Sequence, residues 1–325
     1  MNVMFDRSQR STPVARVPGS NKGPEQLLKV AIVNNMPDTA LVATYRQFSG
    51  LVTLATGGAV ELRYYHIPSV PRGEEARRYL EQNAEPVDQL YHTRPDALVV
   101  TGNEPKAARL DEEPYWPNIT SLVDWASKHT RTTLWSCLAA HAAVLHLDGI
   151  ERHRLPQKKS GVLACDVSPA GRFGGLPETL STCHSRLNGI RPADLLANGY
   201  EIISQAAGGH VDVFARTYRS RFIFLQGHPE YAADSLMKEY RRDVGRFLRG
   251  ERDDHPDIPE NYFDDETVIR MENFRTKAER TRDPSLAQNF PAVELRSGLE
   301  EKLATSAHAI FASSFDALTK AVQAV

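Results

Sequence analysis

The stretch TTLWSCLAAHAAVLHLDGI, residues 132–150, decides how the rest of the chain is read. Residues 132–136 form a short apolar run, and from Leu138 the composition changes to the Ala- and Leu-rich texture of a helix. A strand that turns sharply into a helix holds the residue between them exposed at the strand's carboxyl end, with unpaired helix amides pointing toward it. Here that residue is Cys137. The helix N-terminus favours a thiolate over a thiol, which makes Cys137 a candidate nucleophile. An isolated cysteine in an apolar run also reads as a buried structural thiol, and position alone does not choose between the two.

Outward from this stretch the strand and helix alternation recurs. Strand LKVAIV begins at Leu28, followed by a helix from about Thr39 to Ser49, strand VELRYYHI over Val60–Ile67 and a helix near Glu74–Gln82. Strand ALVVTG, Ala97–Gly102, and a helix over Trp116–Lys128 lead into Thr132–Ser136. Continuous apolar strands alternating with helices predict an α/β fold, a parallel sheet flanked by helices on both faces. After Gly149 the texture becomes Gly- and Pro-rich, with short strands expected at Gly161–Cys165, Tyr200–Ser204, Val211–Ala215 and Arg221–Gln226, paired antiparallel. HPEYAADSLMKEYRRDVGRFL then carries Leu236, Met237, Tyr240, Val244 and Phe247 at the spacing of one helical face. Residues 251–296, opened by ERDDHPDIPENYFDD, read as largely loop, and 297–322 as a C-terminal amphipathic helix. Residues 1–26 mix Ser, Pro, Gly, Arg and Asn without periodicity and are expected to be a flexible tail, leaving 27–325 as a single domain.

Composition narrows the function. With 325 residues and 41% hydrophobic content, the chain can bury a substantial core. Thirty-nine Lys and Arg against 41 Asp and Glu leave a formal charge of −2, which disfavours nucleic acid or an anionic membrane as partner. Apolar runs stop far short of the ~20 residues that span a bilayer, and the first residues lack an apolar signal block, so a cytoplasmic protein is expected. Cys137, Cys165 and Cys183 form no CxxC pair, and neither a disulfide framework nor a metal site is expected.

A cysteine nucleophile requires a base that can return its proton and a carboxylate that fixes the base's tautomer. Gly227-His228-Pro229-Glu230, directly after the apolar FIFLQ, offers both at another strand end. Taken singly, His228 reads as a loop histidine and Glu230 as a helix N-terminal carboxylate. With Cys137 they supply the three residue types of a nucleophilic triad. Strand ALVV ends in Thr101-Gly102-Asn103, where glycine permits close backbone approach, so the amides of Asn103 and Leu138 are candidate oxyanion donors. Lys158, Ser185, Arg186 and Arg242 are candidate clamps for a charged substrate or, one by one, solvated surface residues.

These segments together resemble the homoserine O-succinyltransferase and O-acetyltransferase family, built on the flavodoxin-like fold of class I glutamine amidotransferases. The resemblance spans roughly Leu28 to Asp265, and the last helix more weakly. Its anchors are LKVAIVNNMPDTA, ALVVTG, PYWPNITSLVDWASKH, TLWSCLAAHAAVLHLDGI, KSG, HSR at His184 to Arg186, QGHPEY, EYRRDV at Glu239 to Val244, and PENYF. It implies that Cys137 carries the acyl group, that His228 is the base and that Glu230 orients it. It also implies that Lys158, Ser185, Arg186, Glu239 and Arg242 line the amino-acid pocket, with Arg242 on the α-carboxylate. Acyl-CoA is then a co-substrate, with no permanently bound cofactor, and transfer to the hydroxyl of homoserine or serine is ping-pong. Methionine biosynthesis and a homodimer are further implications.

In that family one position in the loop after Thr-Gly helps select the acyl donor, and counting from Cys137 places Lys106 there. A Glu there favours acetyl and a Gly leaves room for succinyl, and Lys106 fits neither. It pairs with the free carboxylate of a succinyl group, contacts a coenzyme A phosphate or points to water, and succinyl is the donor expected. Leu138, where an aromatic is frequent, and Lys159, where an apolar residue is, depart from the family pattern and imply an altered pocket. Two other readings stay open. A glutamine amidotransferase-type hydrolase would carry its cysteine in G-x-C-x-G, but Trp135 and Ala139 hold those glycine positions. A catalytically silent binding protein on the same scaffold would leave Cys137, His228 and Glu230 unused.

Overall fold

The computed structural model describes residues 15–16, 27–169 and 175–323. In chain order the first elements are β1 (Ala15–Arg16), β2 (Leu28–Val33), α1 (Leu41–Ala55), β3 (Val60–His66), α2 (Glu74–Asn83), β4 (Glu85–Pro86), α3 (Val87–Leu90) and β5 (Ala97–Val100). Next come α4 (Trp116–His129), β6 (Thr132–Ser136), α5 (Leu138–Asp148), β7 (His153–Val167), β8 (Thr179–Gly189), α6 (Pro192–Ala197) and β9 (Glu201–Ala206). The chain continues with β10 (His210–Thr217), β11 (Arg221–Leu225), α7 (Ser235–Leu248), α8 (Asp265–Thr281) and α9 (Leu299–Gln323).

One sheet joins the strands in the order β1-β3-β2-β5-β6-β11-β10-β9-β7-β8, with β4 beside β3. The section β3-β2-β5-β6-β11 is parallel, and from β11 onward every pairing is antiparallel. The expected α/β architecture, parallel with an antiparallel section after the nucleophile helix, is the one observed, except that β11, expected among the antiparallel strands, also pairs parallel with β6 and so joins the two sections.

Alternate residues of the parallel strands point to opposite faces, and the core divides accordingly. Leu28, Val30 and Ile32 of β2 pack with α1, α2 and α9, whereas Ala31 and Val33 pack with α4 and α5. Phe311 and Phe315 of α9 are fully buried. Each contributes roughly 1.5–3 kcal/mol of burial, which docks the last helix across the sheet. A third cluster joins α7, α8 and the start of α9 around Tyr262, Phe263 and Met271. No helix among the described residues is long and apolar enough to cross a membrane.

Two segments differ from the sequence reading. Within 251–296, expected to be largely loop, the seventeen residues of α8 are helical. Asp264 caps it by accepting from Thr267 N at 2.7 Å, and Arg270–Glu266 and Arg275–Glu279 pair one turn apart. Its buried stripe, Thr267, Met271, Phe274 and Ala278, is narrow in a charged background, so hydropathy alone conceals it. Strand β8 was not expected, because the residues it buries on one face include Thr182, His184 and Arg186. The expected tail, 1–26, lies outside the described residues apart from Ala15–Arg16, which add a short strand to the edge at β3.

Candidate active site

Strand β6 pairs with β5 on one side and β11 on the other, and this decides where the candidate residues meet. Val100 lies opposite Trp135, and Leu225 opposite Ser136. The chain leaving β5 therefore presents Gly102 and Asn103, that leaving β6 presents Cys137, and that leaving β11 presents Gly227 and His228, all at one carboxyl edge of the sheet. Cys137 donates its amide to Leu225 O at 2.7 Å and takes φ 51° and ψ −113°. A non-glycine residue in that region is strained, as expected in a sharp turn from strand to helix.

A Cβ on Gly102 would lie 2.7 Å from the Leu138 amide nitrogen. The missing side chain is what lets the turn after β5 close on the first amide of α5. Among the described residues, neither the Asn103 nor the Leu138 amide has a hydrogen-bond acceptor.

His228 is buried, and its Nδ1 lies 2.8 Å from Glu230 Oε1. Its ring stacks on Tyr231 with centroids 4.3 Å apart, and its amide donates to Cys183 O of β8 at 2.7 Å. Burial opposes protonation of the ring, yet the charges of Glu230 and Cys137, with hydrogen bonds to both, hold its pKa well above the ordinary histidine value. One turn after Cys137, burial pushes the His141 pKa down to about 3, so this second imidazole is neutral.

A second buried imidazole and carboxylate, His184 Nε2 and Asp212 Oδ1, stand 3.2 Å apart against Gly227, immediately before His228. Thr182 and Ser204 donate to Asp212 Oδ2, and Arg186 Nε donates to His184 Nδ1 at 3.2 Å. His184 therefore carries its proton on Nε2, facing Asp212. Cys165 lies with this pair, the three donor atoms within 4.8 Å of one another. Protein hydrogen bonds engage His184 Nδ1 and Asp212 Oδ2, whereas Nε2 and Oδ1 face each other at 3.2 Å with no hydrogen bond among the described residues.

The Lys158 and Arg242 side of the site is organised by a residue that sequence reasoning missed. Asp243 is buried and accepts from Lys158 Nζ at 2.9 Å and from Arg242 Nε and Nη2 at 3.1 and 3.0 Å. Burial raises its pKa, but the Lys158 and Arg242 charges and their hydrogen bonds outweigh this and hold the carboxyl below its ordinary value. Glu239 accepts from Ser185 Oγ and from Tyr231 Oη, and so links Ser185 to the ring stacked on His228.

Cys137, Asn103, Leu138, His228, Lys158, Ser185, Arg186, Glu239 and Arg242 line one cavity of about 690 Å³. That is the size of a small-molecule site. Glu230 sits behind His228, outside the lining. Lys106 is exposed and also outside it; its amide and that of Ala107 are held by Glu113 Oε1 at 2.6 and 2.8 Å. Besides Asp243, the cavity includes Arg152, His141 and Tyr231, none of them singled out from sequence. Asp243 and Tyr231 lay inside the quoted EYRRDV and QGHPEY, whereas Arg152 carries no motif signal.

The family model for homoserine O-succinyltransferase matches residues 17–311. A homoserine O-succinyltransferase of Rhodopseudomonas palustris is 46% identical, covering 96% of this chain and 97% of its own. One from Methylorubrum extorquens is 48% identical over 83% of this chain and 80% of its own, and one from Bradyrhizobium japonicum 44% identical over 92% and 94%. A glutamine amido transferase from Methylobacillus flagellatus is similar in fold, with a TM-score of 0.52 and 12% identity over 89% of this chain and 95% of that one. With the family model spanning both the elbow at Cys137 and the strand end at His228, this chain belongs to the homoserine O-succinyltransferase family and is an acyltransferase.

Proposed function

We propose that this chain moves a succinyl group from succinyl-CoA to the hydroxyl of homoserine through a thioester on Cys137, in a ping-pong sequence. The observation that carries the reading is the meeting of Cys137 and His228 at adjacent strand ends, with Glu230 on the far nitrogen of the imidazole.

In the first half, the Cys137 sulfur attacks the thioester carbonyl, and the transient oxyanion falls to the free amides of Asn103 and Leu138. The carbon–sulfur bond to coenzyme A breaks, the leaving thiolate takes the proton held by His228, and free coenzyme A departs. Exchange of one thioester for another is close to thermoneutral. Acylation also removes the charge on sulfur, one of the causes that hold the His228 pKa up. The imidazole is then a free base. In the second half it takes the homoserine hydroxyl proton as that oxygen attacks the acyl-enzyme, the carbon–sulfur bond to Cys137 breaks, and the ester leaves with His228 again protonated beside the Cys137 thiolate. A positioned base of this kind contributes about 10²–10⁴-fold.

Arg242 and Lys158, spaced by Asp243, suit the acceptor's α-carboxylate, and Glu239 its ammonium group. The reading also takes the active form as a cytoplasmic homodimer, supported by the family relationship. Incubation with succinyl-CoA alone should add one succinyl group to the wild-type mass, removable by hydroxylamine and discharged by homoserine. Cys137→Ala should show no adduct. A wild-type protein that stays unmodified while transferring succinate, or that hydrolyses glutamine instead, would sink the proposal. Acetyl-CoA and serine, offered in the same assay, report donor and acceptor choice.

A further inference from the structure

Most cations of the cavity are already engaged. Lys158 and Arg242 are bound to Asp243, and Arg246 and Arg252 approach the same carboxylate at 3.9 and 4.0 Å. Arg186 donates to His184 and to Asn188 O, and Arg154 is exposed to solvent. Arg152 differs. It lines the cavity with Cys137, Leu138 and Asn103, is half-buried, and makes no hydrogen bond or ion pair among the described residues. Tyr115, Glu113, Cys137 and His141 are among the ionisable groups within electrostatic range of it. Glu113 partly offsets its charge, but commits Oε1 to the amides of Lys106 and Ala107. Burial holds the guanidinium pKa below its ordinary value, a penalty that a bound anion would relieve.

A second polar group on this side is also unsatisfied. Tyr115 is 5% exposed, and its hydroxyl is buried beside Asn103 with no hydrogen bond of acceptable geometry. A planar fork of donors and a phenolic hydroxyl are the groups that recognise a carboxylate. Arg152 lines the Cys137 cavity on its oxyanion side, in the region where Lys106, outside the lining, was expected to act. Tyr115 stands beside it, lining a small adjoining pocket with Asn103 and Leu138 and within electrostatic range of the guanidinium.

We propose that Arg152, assisted by the Tyr115 hydroxyl, recognises the terminal carboxylate of a dicarboxylic acyl group carried on Cys137. The inference rests on reading Cys137 as the acyl carrier. An acetyl group has nothing to offer this cation, whereas the far carboxylate of a succinyl group satisfies it, so the site discriminates by leaving its own charge unpaired with the wrong donor.

The test compares succinyl-CoA with butyryl-CoA, the uncharged acyl group of the same carbon-chain length, in the wild type, Arg152→Gln, Arg152→Lys and Tyr115→Phe. Thioester formation is followed by thiol release and intact mass without acceptor. Arg152→Gln should lower the succinyl-to-butyryl ratio of kcat/KM by about 10²-fold. Arg152→Lys should recover part of the ratio, and Tyr115→Phe should lower it by roughly 10-fold. Equal losses on both donors, in a variant whose Tm matches the wild type, overturn the assignment. So does a rise in acceptor KM with the donor ratio unchanged, which would place Arg152 on the amino acid. If Arg152→Gln fails to fold, an unchanged ratio in Arg152→Lys and Tyr115→Phe overturns it. A wild type that acylates another residue, or none, removes the acyl-carrier reading itself and is distinguished by the missing Cys137 adduct.

Discussion

Asp243→Asn separates a carboxylate that organises the acceptor pocket from one that merely stabilises the fold. The substitution keeps shape and removes charge, while Lys158 and Arg242 lose the group that holds them at 2.9–3.1 Å. At such separations a pair has about 5–6 kcal/mol of Coulomb attraction at an effective dielectric near 20. Lys158 and Arg242 keep 25% and 46% of their side-chain surface exposed, so water screens both. Losing a buried charge's desolvation penalty offsets more, and the net loss of stability should be about 1–2 kcal/mol.

The sign of the pH dependence follows from the depressed carboxyl pKa. The advantage of wild type over Asp243→Asn is fully present above the unfolded carboxyl value of about 3.9, and fades as pH falls through the lower folded value. The larger effect falls on binding, because both cations that suit the α-carboxylate lose their fixed positions. The KM for homoserine should rise about 10- to 10²-fold, with thioester formation from succinyl-CoA affected less. Separate assays of the two half-reactions, with thermal melts from pH 3 to 8, measure all of this. An unchanged homoserine KM beside a lowered Tm would refute the pocket role, as would a loss concentrated in thioester formation.

The loss of the sulfur charge on acylation predicts two different His228 titrations. Discharge of isolated succinyl-enzyme by homoserine should rise with pH around a lower midpoint than the His228 titration of the free enzyme, itself above the ordinary ~6.5. Coincident midpoints would remove that part of the mechanism. Gly227→Ala should be destabilised by roughly 1–3 kcal/mol and slowed in both half-reactions, because its Cβ would meet Asp212 Oδ1 and Thr182 Cγ2 at 2.5 Å, next to His228. Wild-type melting and turnover in that variant would show that the packing behind the base is dispensable.

Much of the architecture was legible locally. The parallel strands, the helices between them and the elbow at Cys137 follow from runs of apolar residues whose period reports how each segment is covered. Strand Thr132–Ser136 and the start of α5 emerge where the composition changes. The candidate residues Cys137, His228, Glu230, Ser185, Glu239 and Arg242 were also nameable, through motifs that stand in a recognisable order. Polar burial was not legible: β8 was overlooked because hydrogen bonds, not apolar side chains, fill one face of it around His184 and Arg186.

The sequence by itself determined the strands and helices of the parallel half of the sheet, and which residue types stand at their ends. Only the tertiary structure decided that β11 lies beside β6, so that His228 reaches a cysteine some ninety positions earlier. It also decided that Asp243 gathers Lys158 and Arg242, and that Arg152 enters the cavity while Lys106 stays outside. The physical reason is the range of the information. Hydrophobic period and turn chemistry act between residues a few positions apart, whereas strand neighbours and charge pairs are selected by packing across the whole sheet.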